Sequence, residues 1–148
     1  MLAYMELRNG TLALPGLTFF DRRGATAGQK QADARVGEEA KKEKRLFCAL
    51  CRHPITHQDE RIPVDGRHEH TCTNPGGHTF MIGCFREATG CVALGVATEA
   101  HTWFKGYAWQ VAVCARCEQH LGWRFLAQAD HFHGLILDRL TSVGRANK

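Results

Sequence analysis

Two CxxC pairs constrain this chain more than any other feature of its sequence. Cys48 and Cys51 form the first pair, and Cys114 and Cys117 form the second, with 62 residues between the pairs. A spacing of two residues lets a tight turn direct both sulfurs at one point, and two such turns supply a tetrahedral site of four thiolates, which suits Zn²⁺. The sequence therefore predicts one zinc ion bound by these four cysteines.

The wide separation of the two pairs indicates what the ion would do. Zinc ribbons usually space their pairs by about 15–20 residues, whereas here the metal would join the two ends of a whole domain. Closing that loop offsets chain entropy that a body of roughly 100 residues can hardly spare. Four thiolates leave no open position for substrate or water, so we expect a structural ion. Buried free cysteines, or a redox function for one pair, are the alternatives.

The other three cysteines, Cys72, Cys84 and Cys91, share no ligand spacing. Free cysteine is commonly buried as a small apolar residue, and we expect that here, with a reactive thiol as the alternative. The start of the chain, MLAYMELRNG, is not typical of a secretory signal, because it lacks a basic segment and carries Glu6. No apolar run approaches the roughly 20 residues that a membrane span needs. We therefore expect a cytoplasmic protein, and we do not expect its cysteines to form a framework of disulfides.

The composition changes near residue 46. Residues 1–45 are mostly polar and of mixed charge, and they are expected to form a disordered or loosely docked tail. Beyond them, Gly or Pro interrupts the chain every 8–12 residues or so, and between the interruptions lie short apolar runs: HTFMIGCF, CVALGV, WQVAVC and WRFLA. Such runs are typical of antiparallel strands of about 4–7 residues. The sequence therefore predicts an all-β domain over residues 46–145.

The charge of the chain argues against two classes of partner. The net charge is only +4, and all nine histidines lie after residue 50. A domain so close to neutral has no electrostatic footprint for nucleic acid or for an acidic membrane. We expect neither partner, and we expect a monomer.

All three tryptophans fall within 21 residues, and they surround the second CxxC pair. In a strand, Trp109 would share a face with Val111, and Trp123 would share a face with Phe125. The pattern by itself does not separate an ordinary core from an aromatic cage or a base-stacking platform.

A resemblance favours the cage. The segment HTWFKGYAW from His101 to Trp109, the following CxxC, and HLGWRF from His120 to Phe125 closely resemble the thalidomide-binding domains of the cereblon family, also called CULT domains. The resemblance extends over roughly Phe47–Leu140. It implies a β-tent, in which two antiparallel sheets meet at an angle and are pinned by zinc.

The resemblance also implies a pocket. Its walls would be the three indoles, with Phe125 at the floor or side, a bordering loop at Asn74 and Pro75, and a polar edge at His101. The ligand-site residues implied are Asn74, Pro75, His101, Trp103, Trp109, Trp123 and Phe125. One departure is Lys105, which stands where the family has proline, so this turn is expected to be looser.

The function implied is a binding module rather than an enzyme. Its ligands would be cyclic imides such as glutarimide, succinimide or uracil-like rings, free or at the C-terminus of a protein. Two alternatives stay open: a reader of methylated ammonium groups, which indoles attract through cation–π contacts, and an enzyme resembling methionine sulfoxide reductases. The short chain has no counterpart of the Lon-like and adaptor-binding regions of cereblon. We therefore expect a stand-alone member of the bacterial type, with no ubiquitin-ligase adaptor.

Overall fold

The computed structural model describes residues 44–146 and, before them, Arg35. The chain divides into two compact units, residues 1–40 and residues 41–148, and the architecture below belongs to the second. The predicted tail over residues 1–45 therefore lies almost entirely outside the described residues. The first strand begins at Arg45, next to the predicted boundary.

The described part of the second unit contains nine strands and two single 3₁₀ turns, over Gln58–Glu60 and Leu137–Arg139. The strands, in chain order β1 to β9, are Arg45–Cys48, Pro54–His57, Glu69–Thr73, Thr79–Phe85, Cys91–Thr98, Ala108–Cys114, His120–Leu126, His131–Ile136 and Leu140–Thr141. No helix among the described residues is long and apolar enough to cross a membrane.

The strands form two antiparallel sheets. One has three strands in the order β2-β1-β9, and the other has six in the order β3-β4-β8-β7-β6-β5. The prediction of an all-β fold with two antiparallel sheets is confirmed. The four apolar runs of the sequence correspond to β4, β5, β6 and β7. Strand β3 reads EHTCT, and it carries no comparable apolar signal.

Two apolar cores lie on opposite faces of the six-stranded sheet. Neighbouring residues of a strand point to opposite faces, and on β8 Leu135 belongs to the first core while Ile136 belongs to the second. The first core also contains Cys48 of β1 and Ile55 of β2, so it is shared with the three-stranded sheet. The second core is aromatic, and its buried residues are Ile82, Cys84, Phe104, Trp123, Phe125, Phe132 and Ile136.

Candidate functional site

The four cysteines of the CxxC pairs come together at one end of the first core. Their Sγ atoms all lie within 4.8 Å of one another. The Sγ atoms of Cys48 and Cys117 are 3.7 Å apart, and those of Cys51 and Cys114 are 3.6 Å apart. Both distances join sulfurs from different pairs. None of the described cysteines forms a disulfide.

The two pairs are held by matching backbone turns. The carbonyl of Cys48 accepts from the N–H of Arg52 at 2.8 Å, and the carbonyl of Cys114 accepts from the N–H of Glu118 at 2.9 Å. Arg52 has φ 62° and Glu118 has φ 63°, so each pair is followed by one residue in the left-handed region. This conformation turns the chain sharply and directs both sulfurs of a pair toward the other pair.

The cluster fits a tetrahedral metal ion. Four sulfurs at the Zn–S distance of about 2.3 Å form a tetrahedron with edges of about 3.8 Å, close to the two distances between the pairs. Two of the cysteines are buried and two are half-buried. The four residues can therefore hold a metal ion that links β1 to the end of β6 without large movement.

The remaining cysteines are unlike catalytic thiols. Cys84 is buried, as predicted, whereas Cys72 and Cys91 are half-buried. Burial raises the pKa of Cys84 and of Cys91 to about 12, and it also raises the pKa of Cys72. A thiol with a raised pKa is a poor nucleophile at neutral pH, because the thiolate is the reactive form.

The second feature is an aromatic cavity of about 390 Å³ on the face of the second core. It brings together all seven residues that the resemblance singled out, with Val111 and His120 in addition. The lining residues are Asn74, Pro75, His101, Trp103, Trp109, Val111, His120, Trp123 and Phe125.

Strands β6 and β7 supply the back of the cavity. Trp109 pairs with Phe125, and Val111 pairs with Trp123, so these four side chains lie together on one face. Phe125 is only 1% exposed and stacks on Phe132 at 4.9 Å between ring centroids. The ring therefore forms the floor of the cavity and is fixed from below by the second core.

Two indoles are held by hydrogen bonds to the backbone. Nε1 of Trp103 donates to the carbonyl of Thr73 at 3.0 Å, and Nε1 of Trp109 donates to the carbonyl of Ala100 at 2.8 Å. The ring of Trp103 meets that of Trp123 at 4.6 Å and 76°. Because both indole N–H groups are bonded to backbone carbonyls, Trp103 and Trp109 offer only the apolar faces of their rings to the cavity.

Two loops close the sides. In the loop between β3 and β4, Oδ1 of Asn74 accepts from the N–H of His78 at 2.9 Å, which fixes the turn that carries Pro75. The other loop joins β5 to β6, and in it His101 has φ 57°. Within the part of the chain that the structure describes, neither the imidazole of His101 nor the backbone N–H and C=O of His101 and Trp103 form a hydrogen bond.

His120 reaches the cavity because of a bulge. Ala112 pairs with Gly122 and Val113 pairs with His120, so Leu121 is an extra residue on β7. The bulge reverses the alternation of side chains: Leu121 lies in the first core, while Trp123 lies in the second. His120 is thereby brought against Trp123, with ring centroids 4.8 Å apart.

Sequence reasoning missed Val111 and His120 as cavity residues. For Val111 a signal existed, because it lies two positions from Trp109 on the same strand. For His120 strict alternation gives the wrong face, since an even-numbered residue of β7 would point away from Trp123. A glycine inside a strand can mark a bulge, so Gly122 is a sequence signal for this irregularity, and in the structure its φ is 152°.

The chain is similar to protein cereblon from several animals. Cereblon of Danio rerio is 37% identical over 54 residues, which are 36% of this chain and 12% of the relative. Cereblon of Gallus gallus gives the same identity and coverage. Cereblon of Drosophila willistoni is 26% identical over 95 residues, which are 62% of this chain and 16% of the relative.

These matches are confined to a small part of the relatives, since they cover only 12–16% of the length of each. No family model matches the chain. The similarity nevertheless recurs across several species, over up to about 60% of this chain, and it agrees with the two antiparallel sheets and the four-cysteine cluster. These matches support a cereblon-like domain in this chain.

Proposed function

We propose that the cereblon-like domain, residues 46–145, binds cyclic imides in the aromatic cavity. The observation that carries the proposal is the arrangement of the three indoles around a cavity of about 390 Å³. Because the N–H groups of Trp103 and Trp109 are already bonded to backbone carbonyls, the walls offer apolar faces. The methylene groups of a five- or six-membered ring can pack against such faces.

The polar edge of an imide has a matching set of partners. The C(=O)–NH–C(=O) group presents acceptor, donor and acceptor in a row. His101 and Trp103 lie two residues apart, and in the described chain their backbone groups form no hydrogen bonds. A backbone carbonyl can take the imide proton, while a backbone N–H and the His101 ring can bind the two oxygens.

Glutarimide, succinimide and uracil-like rings share this edge, either as free molecules or as a C-terminal cyclic imide on a protein. A ring of about eight to ten heavy atoms at roughly 0.7–0.9 kcal/mol per atom gives micromolar affinity. N-methylation of the imide removes the donor and leaves a buried acceptor unpaired, at a cost of about 1–3 kcal/mol.

We propose zinc as the metal of the four-cysteine cluster. The donor set is all thiolate, and thiolates in a tetrahedron favour Zn²⁺ among the common divalent ions. Such an ion supplies no catalysis here, because four protein ligands complete its coordination. Its contribution is to fix the turn between β6 and β7, and through it the strands that carry Trp109 and Trp123.

Two alternative functions lack support from the cavity. Cages for methylated ammonium groups often include a carboxylate, and the described residues that line this cavity include no Asp or Glu. A sulfoxide reductase needs a nucleophilic cysteine at its pocket, whereas no cysteine lines this one and the pKa values of Cys72, Cys84 and Cys91 are raised by burial. We therefore propose binding rather than catalysis.

The test is a tryptophan fluorescence titration of the zinc-loaded chain with glutarimide, N-methylglutarimide and trimethyl-lysine. We expect saturable quenching by glutarimide, binding at least about tenfold weaker for the N-methyl compound, and no competition by trimethyl-lysine. Trp109→Leu should abolish the response to glutarimide while the zinc content stays at one ion per chain. A folded, zinc-loaded protein that responds to no cyclic imide would disprove the proposal.

A further inference from the structure

Strand β5 is an edge of the six-stranded sheet, and it is uncharged along its whole length. Its sequence, CVALGVAT, contains neither a charged residue nor a proline. Soluble proteins usually protect a free edge with charged side chains, prolines, very short strands or a covering loop, because unpaired backbone groups can bond to another chain. Three large apolar side chains are exposed along β5: Val92 at 45%, Leu94 at 50% and Val96 at 92%.

The other edges among the described strands are protected. Strand β3, at the opposite edge of the six-stranded sheet, begins with the charged Glu69. Strand β2 begins with Pro54, and its Ile55 carbonyl accepts a hydrogen bond from the N–H of Gly90 at 3.0 Å. Strand β9 has only two residues. Among the described edges, β5 is therefore the one at which a further strand can be added.

The register of β5 on β6 determines which backbone groups face outward. The carbonyl of Gly90 accepts from the N–H of Ala115 at 2.9 Å, immediately before the paired residues of the two strands. Bonded and non-bonded pairs alternate in an antiparallel ladder. Val92 and Leu94 therefore bond to β6, whereas the N–H and C=O of Ala93 point away from it. In the described part of the chain, these two groups of Ala93 have no partner on the outer side.

The side chains of this edge extend the apolar surface beside the cavity. Val92 pairs with Val113, and Leu94 pairs with Val111, which lines the cavity. Cross-strand partners share a face of the sheet, so Val92 and Leu94 lie on the face that carries the cavity. The regular edge ends at Leu94, because the register shifts after it and Gly95 has φ 80°.

We propose that β5 pairs with β5 of a second copy of this chain, antiparallel and with Ala93 on the two-fold axis. The N–H of each Ala93 then donates to the C=O of the other, and Val92 of each copy packs against Leu94 of the other. The strand fits a second copy because it is complementary to itself in this register. The net charge of the chain is only +4, so two copies can approach without strong repulsion.

This pairing joins the two six-stranded sheets into one continuous sheet. Its two-fold axis is perpendicular to the sheet, so both cavities lie on the same face of the dimer. The interface is small, because the irregular backbone at Gly95 restricts pairing to about the four residues Cys91–Leu94 of each copy. We therefore expect a weak dimer, with a Kd on the order of 10–100 µM. The dimer goes beyond the proposed function and does not depend on which ligand the cavity binds.

Sedimentation equilibrium of the zinc-loaded full chain, from about 1 µM to about 1 mM, tests the proposal. We expect the average mass to rise from that of one chain toward that of two. Leu94→Lys should raise the dimer Kd at least about tenfold, because each new charge lies against Val92 of the other copy and near the second new charge.

Met81→Lys is the matched control. Met81 is 55% exposed, much like Leu94, but it lies on β4 and outside the edge. It should change the dimer Kd by less than about twofold. A mass of one chain at every concentration, a mass that rises beyond two chains, or equal effects of the two substitutions would overturn the proposal.

A second measurement needs no variant. Amide exchange at Ala93 in the wild-type chain should slow as the protein concentration rises through the dimer Kd, while exchange in β3, at the opposite edge, should stay the same. Protection of Ala93 that does not depend on concentration would mean that another segment of the same chain covers β5. That result would contradict pairing with a second copy.

Discussion

Gly122 is a single residue on which both the bulge and the cavity depend. A Cβ at this position would stand 2.1 Å from the carbonyl oxygen of Gly134 and 2.9 Å from Cα of Leu135, both on β8. These atoms are backbone and cannot move aside. We expect Gly122→Ala to lower the free energy of unfolding by about 3 kcal/mol or more, from overpacking and backbone strain together. Urea unfolding of the zinc-loaded protein measures it.

Gly106→Ala is the matched control for that substitution. Gly106 also has a positive φ, 89°, but a Cβ there would meet no atom within 4 Å. Only the conformational cost of about 1–2 kcal/mol remains. Similar losses in the two variants would show that contact with β8 is not what requires glycine at position 122.

A second single residue, His133, makes the free energy of unfolding depend on pH. It is 7% exposed, its Nδ1 has no partner, and burial lowers its pKa. At a pH between the two pKa values, His133 is therefore protonated in the unfolded chain but not in the folded chain. Stability is complete above the unfolded pKa of about 6.5 and is lost as the pH falls from there toward the folded pKa.

The prediction for His133→Gln follows from that sign. Below about pH 6.5, the slope of unfolding free energy against pH should decrease in the variant by up to about 1.4 kcal/mol per pH unit, the contribution of one proton. Acid also weakens thiolate–metal bonds, but this contribution is common to both proteins and cancels in the comparison. Parallel curves for wild type and variant, in urea titrations at each pH, would contradict the prediction.

At the scale of elements, the loop between β5 and β6 is tied to the turn between β7 and β8. The hydroxyl of Tyr107 donates to Oδ2 of Asp130 at 2.5 Å, and Arg86 pairs with the other oxygen. The bond from Tyr107 and the charge of Arg86 lower the pKa of Asp130, so the carboxylate stays charged. This tie restrains the loop that carries His101 and Trp103.

Tyr107→Phe removes the tie and keeps the ring, which packs edge-on against Phe132 at 5.1 Å. We expect faster amide exchange in residues 99–107 and a loss of imide affinity of about 2–5-fold, with a stability change below about 1 kcal/mol. Thr79→Val, which removes the bond between Oγ1 of Thr73 and Oγ1 of Thr79, is the control. Exchange in the loop that is equal in all three proteins would refute the restraint.

The sequence predicts elements well where one physical signal acts alone. Short apolar runs between Gly or Pro residues located β4 to β7, and the doubled CxxC spacing located the metal cluster. The sequence analysis did not find strand β3, because its side chains are mostly polar and the strand is stabilised by pairing with β4. The sequence analysis did not find His120, because one extra residue in β7 reverses the alternation of side chains between the two faces of the sheet. A bulge depends on the partner strands, and local sequence carries little of that information.

At the scale of the molecule, the cysteine cluster connects two strands that are far apart in the sequence. Cys48 ends β1 in the three-stranded sheet, and Cys114 ends β6 in the six-stranded sheet. The first core, which the two sheets share, includes both residues and also Leu121 of the bulge. The cysteine cluster and the aromatic cavity are thus connected through the start of β7, although they lie on opposite faces of the sheet.

This link predicts the effect of metal removal. Binding of a structural Zn²⁺ by four thiolates contributes on the order of 10 kcal/mol to folding, which is as much as a domain of this size has in total. Titration with a strong chelator should therefore abolish the far-UV β-sheet signal and the imide-induced tryptophan quenching at the same chelator concentration.

Re-addition of Zn²⁺ under reducing conditions should restore both signals, and Cys48→Ser should behave like the chelated protein. Cys72→Ser, outside the cluster, should retain the metal and both signals. Loss of quenching well before loss of the β-sheet signal would instead mean that the metal supports the cavity locally and not the fold as a whole.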